Sequence, residues 1–292
     1  MGNFDNTTTA ERIIIDFGRF GITDVHRLGK YTYKHAHSSL PEHAHNGMIE
    51  ICYCEKGQQV YEVNGEKYTI KGGDVFITFP GELHSTAHHP EEKGILYWLI
   101  LKITDQNNFL NYSGQDAGAF IRALLTLPGR HFKGGSGIKK TLDDVFVLYS
   151  TEQEPIHRVQ VLSLLTNFLL AVIQRSKTSA ALKPSNRKAA ISSFITENLY
   201  HDLSVEFLAA WMNYSESHFK SWFKNEFGMP PADYILRLRI EEAKKLLQTP
   251  GENSITDTAY YLNFSSSQYF ATVFKKYTGT TPTKYRNLQT GA

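Results

Sequence analysis

Two short segments in the last third of the chain contain polar residues at helical spacing. The side chains of these residues can form hydrogen bonds with the edges of DNA bases. Lys220 and Lys224 are four residues apart in the first segment, and Gln268 and Thr272 are four apart in the second. Lysine can donate to guanine O6 and N7, glutamine can pair with adenine through two hydrogen bonds, and methyl groups can contact thymine. The candidate base-reading residues are Ser217, Lys220, Ser221 and Lys224 in the first segment and Ser267, Gln268, Ala271, Thr272 and Lys275 in the second.

The opposite face of each segment is apolar and predicts packing against a core. The core-facing residues are Phe219, Trp222 and Phe223 in the first segment and Phe270, Val273 and Phe274 in the second. Ser215 and Ser265 precede the segments, where a hydroxyl and the first-turn N–H groups suit phosphate binding. Any single polar residue could be merely solvated, but that explanation does not account for two whole polar faces.

Both segments belong to an internal repeat. Residues 205–234 and 255–285 repeat the same order of apolar residues, turn asparagine, glycine and proline, with an offset of 50 that becomes 51 after Ser265. The turn residues are Asn213 and Asn263, and asparagine tolerates the left-handed conformation better than most residues. Each repeat has the pattern of a helix-turn-helix, so the sequence predicts two units that enter DNA major grooves.

The elements that must position these residues are seven helices. Pro231 and Pro282 suit first helical positions, and Gly228 and Gly279 suit helix ends. The predicted helices cover 186–200, 204–212, 216–227, 231–248, 254–262, 266–277 and 282–290, with Ser204, Ser215, Ser254 and Ser265 as N-caps. The helix over 231–248 has an apolar stripe at Leu236, Ile240, Ala243 and Leu247. It is predicted to be a rigid spacer between the two repeats.

This region resembles the AraC/XylS family of bacterial transcription regulators over about residues 186–290. The resemblance is carried by the sequence LRLRIEEAKKLL from Leu236, and by FSSSQYF from Phe264 followed by FKKYTGTTPTKYR from Phe274. It implies two helix-turn-helix units that read successive major grooves of an asymmetric site. Two departures are visible: Asn213 and Asn263 stand where the family often has glycine, and the first recognition helix has no arginine.

Residues 31–104 have the pattern of an antiparallel β domain. Asn64 and Gly65 lie between two alternating runs, which is a strong hairpin signal. The predicted strands cover 49–53, 59–63, 67–70, 75–79 and 95–103. Short strands at this spacing indicate a small barrel or jelly roll. The predicted fold class is therefore α+β multidomain, with an N-terminal β-barrel and appended helices and an all-α C-terminal domain.

The β region also resembles a cupin. His43, His45, Glu50 and His84 match that family's His-x-His, following Glu and later His, which converge on a divalent metal inside the barrel. Imidazoles with a carboxylate suit Zn, Fe, Mn or Ni. Sensor domains of AraC-type regulators resemble cupins and often hold an organic effector without metal. We therefore expect these four residues to bind a small polar effector, such as a sugar, with no required cofactor. A divalent metal is the alternative occupant, and a metal-dependent cupin enzyme fused to a DNA-binding domain is the alternative function.

Three further helices are predicted over 117–127, 137–149 and 155–175. The last is apolar nearly all round, so one face can pack on the barrel and the other can join a second subunit through Leu165 and Leu169. Burial of both faces within one chain is the alternative. Residues 176–186 are small and polar and predict a linker. The predicted domains are thus 1–175 for effector binding and dimerisation, 176–186 as linker and 187–292 for DNA binding.

Composition adds few constraints. The 292 residues have a formal net charge of +2, which does not by itself indicate nucleic-acid binding. Cys52 and Cys54 are two apart, which predicts small core residues in a reducing compartment. The first residues are polar and the longest apolar run, 95–101, is too short for a membrane span. We predict a cytoplasmic, effector-responsive regulator that acts as a homodimer, has no catalytic residues and binds double-stranded DNA. RNA polymerase is a further candidate partner of this regulator.

Overall fold

The computed structural model describes residues 7–105, 107–151, 154–179, 186–248 and 254–290. The chain forms two compact units. The first comprises Met1–Tyr33, Ser39–His89 and Gly94–Leu182. The second comprises Lys34–Ser38, Pro90–Lys93 and Lys183–Ala292. Of the predicted linker 176–186, residues 176–179 are helical, and residues 180–185 lie outside the described part of the chain.

The first unit is built on an antiparallel sheet. Its strands are β1 (Arg12–Ile15), β2 (Val25–Tyr33), β3 (Met48–Val63), β4 (Glu66–Lys71), β5 (Asp74–Thr78), β6 (His84–Ser85), β7 (Gly94–Lys102), β8 (Asn108–Phe109), β9 (Tyr112–Ser113) and β10 (His131–Lys133). The main order is β1-β2-β7-β3-β5-β10, with β4 and β6 also paired to β3, while β8 and β9 form a separate pair. The hairpin predicted at Asn64 and Gly65 is confirmed, since β3 and β4 pair with Val63 opposite Glu66.

The longest strand corrects the prediction of separate strands over 49–53 and 59–63. These segments form the single strand β3, whose pairing with β7 shifts register between Cys54 and Lys56. A register shift of this kind marks a bulge, which bends a strand and increases its twist. β3 can therefore pair with β5 and β7 along its first half and with β4 and β6 along its second.

Alternation along the strands divides the sheet into two apolar faces. In β3, Ile49, Ile51 and Tyr53 belong to one core, while Cys52 and Cys54 belong to the other. The first core also receives the helices, whereas the second consists of side chains from the strands, including Tyr31, Tyr33, Tyr61, Phe76 and Trp98. Both cysteines are buried and have free thiols, as expected for small core residues.

Three helices pack on the first core: α1 (Gly114–Leu125), α2 (Ile138–Ser150) and α3 (Pro155–Ser179). The prediction that Leu165 and Leu169 join a second subunit is wrong, because their exposed fractions are 1% and 0%. They lie on the face of α3 that packs inside its own unit. The exposed apolar residues of α3 are instead Ile156, Val159 and Leu170, at 51%, 58% and 52%.

One helix in the described ranges, α3 over Pro155–Thr178, is long and apolar enough by composition to cross a membrane. The same test selects core helices of globular domains. Val161, Phe168 and Val172 of α3 are almost fully buried in the first core. These contacts identify α3 as a core helix that keeps one face exposed.

The second unit contains the seven predicted helices. They are α4 (Asn186–Glu197), α5 (Val205–Trp211), α6 (Glu216–Phe227), α7 (Pro231–Gln248), α8 (Ile255–Tyr261), α9 (Ser267–Thr278) and α10 (Pro282–Thr290). Gly228 and Gly279 end α6 and α9 in the left-handed conformation, at φ 73° and 77°. Asn213 and Asn263 adopt the same conformation, at φ 54° and 56°, as the turn assignment required.

Serine side chains cap four of these helices. Ser204, Ser215 and Ser254 accept hydrogen bonds from backbone N–H groups in the first turns of α5, α6 and α8, as predicted. The prediction of Ser265 as the cap of α9 is wrong, since Ser266 accepts from the N–H of Tyr269 at 3.1 Å. Three consecutive serines offer the same capping group, so their chemistry could not select the residue.

A glycine in the first unit makes room for a large aromatic side chain. Gly29 in β2 lies opposite Trp98 in β7, and a Cβ at position 29 would overlap the indole ring. Gly29→Ala should therefore lower the free energy of unfolding of this unit by about 1–3 kcal/mol, as expected for overpacking. Urea denaturation of the full chain measures this change. Gly129→Ala is the matched control because its Cβ would meet open space, and an equal loss in both variants would contradict the prediction.

Candidate functional site

The four predicted ligand residues of the first unit come together, although two of them are not in a strand. His43 and His45 lie in the loop before β3. His43 is held instead by an isolated antiparallel bridge to His84. Glu50 is in the first half of β3, and His84 begins β6, which pairs with the second half. The bend in β3 therefore helps to bring Glu50 and His84 together.

The cluster formed by His43, His45, Glu50 and His84 is compact. One nitrogen or oxygen atom from each residue lies within 4.8 Å of the others. Glu50 Oε2 is 3.1 Å from His84 Nε2 and 3.3 Å from His45 Nε2. His45, Glu50 and His84 are buried, whereas His43 is partly exposed. His43 is therefore the member of the cluster that solvent reaches most.

Backbone carbonyls orient two of the imidazole rings. His43 Nδ1 donates to the carbonyl of Pro41 at 2.9 Å, and His84 Nδ1 donates to the carbonyl of Glu82 at 3.0 Å. In His84 this contact leaves Nε2 facing Glu50, whose Oε2 is 3.1 Å away. Protein groups that bind metals are commonly oriented by such carbonyl contacts.

The cluster is also strongly polarised. Burial alone would raise the pKa of Glu50, but hydrogen bonds from His45 and His84 hold it well below its usual value. Burial alone would lower the pKa of His84, but its hydrogen bond to Glu50 raises it above the ordinary value. Burial, followed by the neighbouring charge of His84, lowers the pKa of His43. A buried carboxylate held between the side chains of His45 and His84 is the dominant electrostatic feature of this site.

Aromatic side chains occupy the same face of the sheet as the cluster. Tyr61 and Phe76 stack with ring centroids 5.1 Å apart, and Tyr31 and Tyr33 stack at 4.1 Å. The Cys52 thiol lies 3.6 Å from the Tyr61 hydroxyl, and burial raises the pKa of this thiol well above its usual value. Cys52 is therefore a protonated core residue rather than a reactive group.

In the second unit the structure places the candidate base-reading residues on the outer faces of α6 and α9. The exposed residues are Ser215, Ser217, Lys220, Ser221, Lys224, Ser265, Gln268, Thr272 and Lys275, whereas Ser267 and Ala271 are half-buried. Phe219, Phe223, Phe270 and Phe274 are fully buried on the opposite faces, as predicted. Each recognition helix thus has one packed face and one face open to a partner.

Glu216 and Tyr269 are among the exposed residues on these helices that were not selected from the sequence. Glu216 pairs with Lys220 at 2.9 Å, one helical turn away, so the lysine charge is partly neutralised on the outer face of α6. Tyr269 is 46% exposed at the start of α9. The i, i+4 spacing of Glu216 and Lys220 was a readable signal for an ion pair. The aromatic type of Tyr269 instead favoured a core position.

Two family models match the chain, and each covers one of these sites. The model of the AraC-like ligand binding domain matches residues 27–169, which include all four residues of the cluster. The model of a helix-turn-helix domain matches residues 208–288, which include α6, α7 and α9. The chain belongs to the AraC family of transcription regulators.

Curated relatives agree with this assignment over most of the chain. The MmsAB operon regulatory protein of Pseudomonas aeruginosa is 26% identical over 241 residues, which is 81% of this chain and 74% of that protein. The HTH-type transcriptional activator RhaS of Enterobacter sp. (strain 638) is 26% identical over 262 residues, covering 85% and 88%. The AraC-family chain is therefore a DNA-binding regulator with a ligand-binding domain.

Solved structures of regulators are also similar to this chain. The DNA-binding domain of AdpA in complex with a target DNA is 25% identical, with a TM-score of 0.35, and covers 37% of this chain and 96% of that one. Fatty-acid-bound ToxT from Vibrio cholerae is 16% identical, with a TM-score of 0.35, and covers 98% of both chains.

Proposed function

We propose that the cluster of His43, His45, Glu50 and His84 is the effector site of this regulator and that it binds a small polar molecule. The observation that supports this proposal is the convergence of four buried or half-buried polar groups within 4.8 Å, inside the matched ligand-binding domain. Such groups can donate to and accept from hydroxyl groups, so a sugar is a suitable effector. Because the donors are so close, they would engage one polar group of the effector, with the remainder lying towards His43.

A divalent first-row metal ion is the second candidate for the same site. Three imidazoles and one carboxylate form a suitable donor set, and carbonyl contacts orient two of the rings. Such an ion would supply a fixed positive charge beside Glu50. His84 would have to give up its Nε2 proton to coordinate, so this binding would weaken as pH falls.

We propose that the outer faces of α6 and α9 read bases in two major-groove segments. Lys220 and Lys224 are suited to guanine, Gln268 to adenine, and Ala271 or Thr272 to the thymine methyl group. Ser215, Ser217, Ser221, Ser265, Ser267 and Lys275 supply further contacts to bases or phosphates. Contact between Lys220 and DNA requires the lysine to exchange the Glu216 carboxylate for a base or a phosphate.

A second copy of the chain is proposed to pack on the exposed face of α3. Ile156, Val159 and Leu170 are the exposed apolar residues of this face. Val159 and Leu170 line a groove of about 450 Å³, whose other lining residues are Leu110, Asn111, Tyr112, Leu162, Ser163, Thr166 and Asn167. Exposed apolar surface of this kind is typical of an interface. The regulator would then act in the cytoplasm as a homodimer that places two DNA-binding units on repeated sites, with RNA polymerase as a further partner.

The effector site is tested by Glu50→Gln. The ligand panel contains common sugars and the chlorides of zinc, manganese and nickel, and the readout is the thermal midpoint Tm of the full chain. A ligand at 100 times its Kd stabilises a protein by about 2.7 kcal/mol, enough to raise Tm by several degrees. We expect any such shift to be lost in Glu50→Gln, because the amide cannot replace the carboxylate that joins the two imidazoles.

Glu62→Gln is the matched control, since Glu62 is on the same strand and pairs loosely with Lys67 at 3.9 Å. This variant should keep the ligand shift. A shift retained in Glu50→Gln would place the effector elsewhere. Shifts produced only by metal chlorides and reversed by a chelator would favour the metal over the organic effector.

Base reading by α6 is tested with Lys220→Ala. If Lys220 donates to a guanine, its loss should weaken binding to a selected duplex by about 1–3 kcal/mol and affect random DNA much less. The duplex is selected from a random-sequence pool by the wild-type chain, and titration by fluorescence anisotropy gives Kd. Lys245→Ala removes a charge that is 72% exposed on α7 and serves as control. An equal loss of affinity for the selected duplex and for random DNA would show that Lys220 contacts only phosphate.

The dimer is tested by Val159→Asp combined with Leu170→Asp. Two carboxylates on the exposed stripe of α3 should prevent its burial against a second copy, so sedimentation at tens of micromolar should show monomers. Val147→Asp changes a residue on α2 that is 60% exposed and should leave the dimer intact. A wild-type chain that is monomeric at this concentration would refute the proposed interface.

A further inference from the structure

Arg239 lies near the middle of α7 and is buried, with an exposed fraction of 8%. All three of its side-chain nitrogens donate to backbone carbonyls. Nε donates to Leu199 at 3.0 Å, Nη2 donates to His201 at 2.8 Å, and Nη1 donates to Asn263 at 3.2 Å. Burying a charged group is costly unless such hydrogen bonds compensate it, so this arrangement constrains the backbone on every side of the guanidinium.

The three carbonyls belong to different parts of the DNA-binding unit. Leu199 and His201 lie in the connection between α4 and α5, beside the first helix-turn-helix. Asn263 is the left-handed turn residue between α8 and α9, at φ 56°. The guanidinium therefore joins the turn that precedes α9 to the backbone that leads into the first repeat.

Aromatic rings form a second contact along the same seam. Tyr200 lies between Leu199 and His201 in the sequence. Its ring centroid is 4.6 Å from that of Tyr261 at the end of α8. The Tyr200 hydroxyl donates to Glu242 on α7 at 3.4 Å. Arg239 and this ring pair thus hold α7, the first repeat and the second repeat together at one place.

A continuous helix such as α7 fixes the distance between the two repeats. It does not by itself fix how each repeat is rotated relative to the helix. We propose that Arg239 is a positioning residue that sets the orientation of α9 relative to α6, and thereby the number of base pairs that can separate the two DNA segments they read. Its planar fork is suited to this role, because a lysine ammonium cannot reach three carbonyls in different directions.

The proposal predicts that loss of Arg239 changes the dependence of DNA affinity on spacing. One base pair corresponds to about 34° of rotation around the duplex, so a rigid pair of repeats should discriminate strongly between spacings. The probes are the duplex selected by the wild-type chain, the same duplex with one base pair inserted or deleted between its two contacted segments, and a duplex that keeps only one segment. Affinities are measured with the full chain.

Arg239→Lys should bind the single-segment duplex within about twofold of wild type, while its affinity for the selected duplex falls about tenfold or more, because the second contact loses its pre-set geometry. Its affinities for the three spacings should become nearly equal. Tyr261→Ala, at a position 55% exposed, should flatten the spacing profile in the same direction but less. Lys245→Met, on the exposed side of α7, should keep the wild-type profile.

A variant that is merely less stable would lose affinity for every probe in proportion and keep the ratio between spacings. The ratio therefore separates positioning from stability. Circular dichroism identifies the variants that retain the wild-type helix content, and Tyr261→Ala gives the test if Arg239→Lys does not fold. An unchanged ratio between spacings in a folded variant would overturn the proposal.

Discussion

The DNA-binding unit depends on the burial of one helix in two cores at once. α7 contributes Tyr234 and Ile235 to the core of the first repeat and Ile240, Ala243 and Leu247 to the core of the second. Units of this size bury too little apolar surface to be stable alone, and stacking on a shared element is the usual solution. Packing on α7 therefore positions the recognition helices α6 and α9. Their outer faces take no part in this packing, so the residues there can vary without loss of the fold.

The ligand-binding unit solves a different problem, because its functional groups are polar and buried. Glu50 is tolerated between His45 and His84 because the imidazoles supply the hydrogen bonds that water would otherwise provide. A ligand that forms a hydrogen bond with Glu50 also changes the hydrogen bonds of His45 and His84, so the cluster is sensitive to what binds there. An effector can act on a regulator only by binding one of its states better than another, and a polarised site of this kind offers such a difference.

Much of the architecture could be predicted from the sequence because strong local signals agreed with the global pattern. The proline and glycine positions delimited α6, α7, α9 and α10, and the duplicated apolar spacing identified both packed faces. The bend of β3 was not predictable, since its bulge lies in a run that includes Gly57, which looked like the end of a strand. The short strand β1 has too few residues for a periodic signal.

The burial of α3 shows a further limit of periodicity. Its sequence indicates more apolar residues than one face needs, but not which of them its own chain covers. Leu165 and Leu169 are covered because the sheet and α2 reach that side, and Val159 and Leu170 are left exposed. Similarly, the cluster residues were found by type and spacing, whereas the loop that positions His43 and His45 depends on a backbone bridge to His84 that no local pattern encodes.

The proposed function requires that both recognition helices, α6 and α9, contact DNA at the same time. Hydroxyl-radical footprinting of the full chain on a duplex selected from a random pool tests it most directly. We expect two protected segments on one side of the duplex, separated by about one helical turn of 10–10.5 base pairs. A single protected segment, unchanged when the outer face of α9 is altered at Gln268 and Thr272, would contradict it.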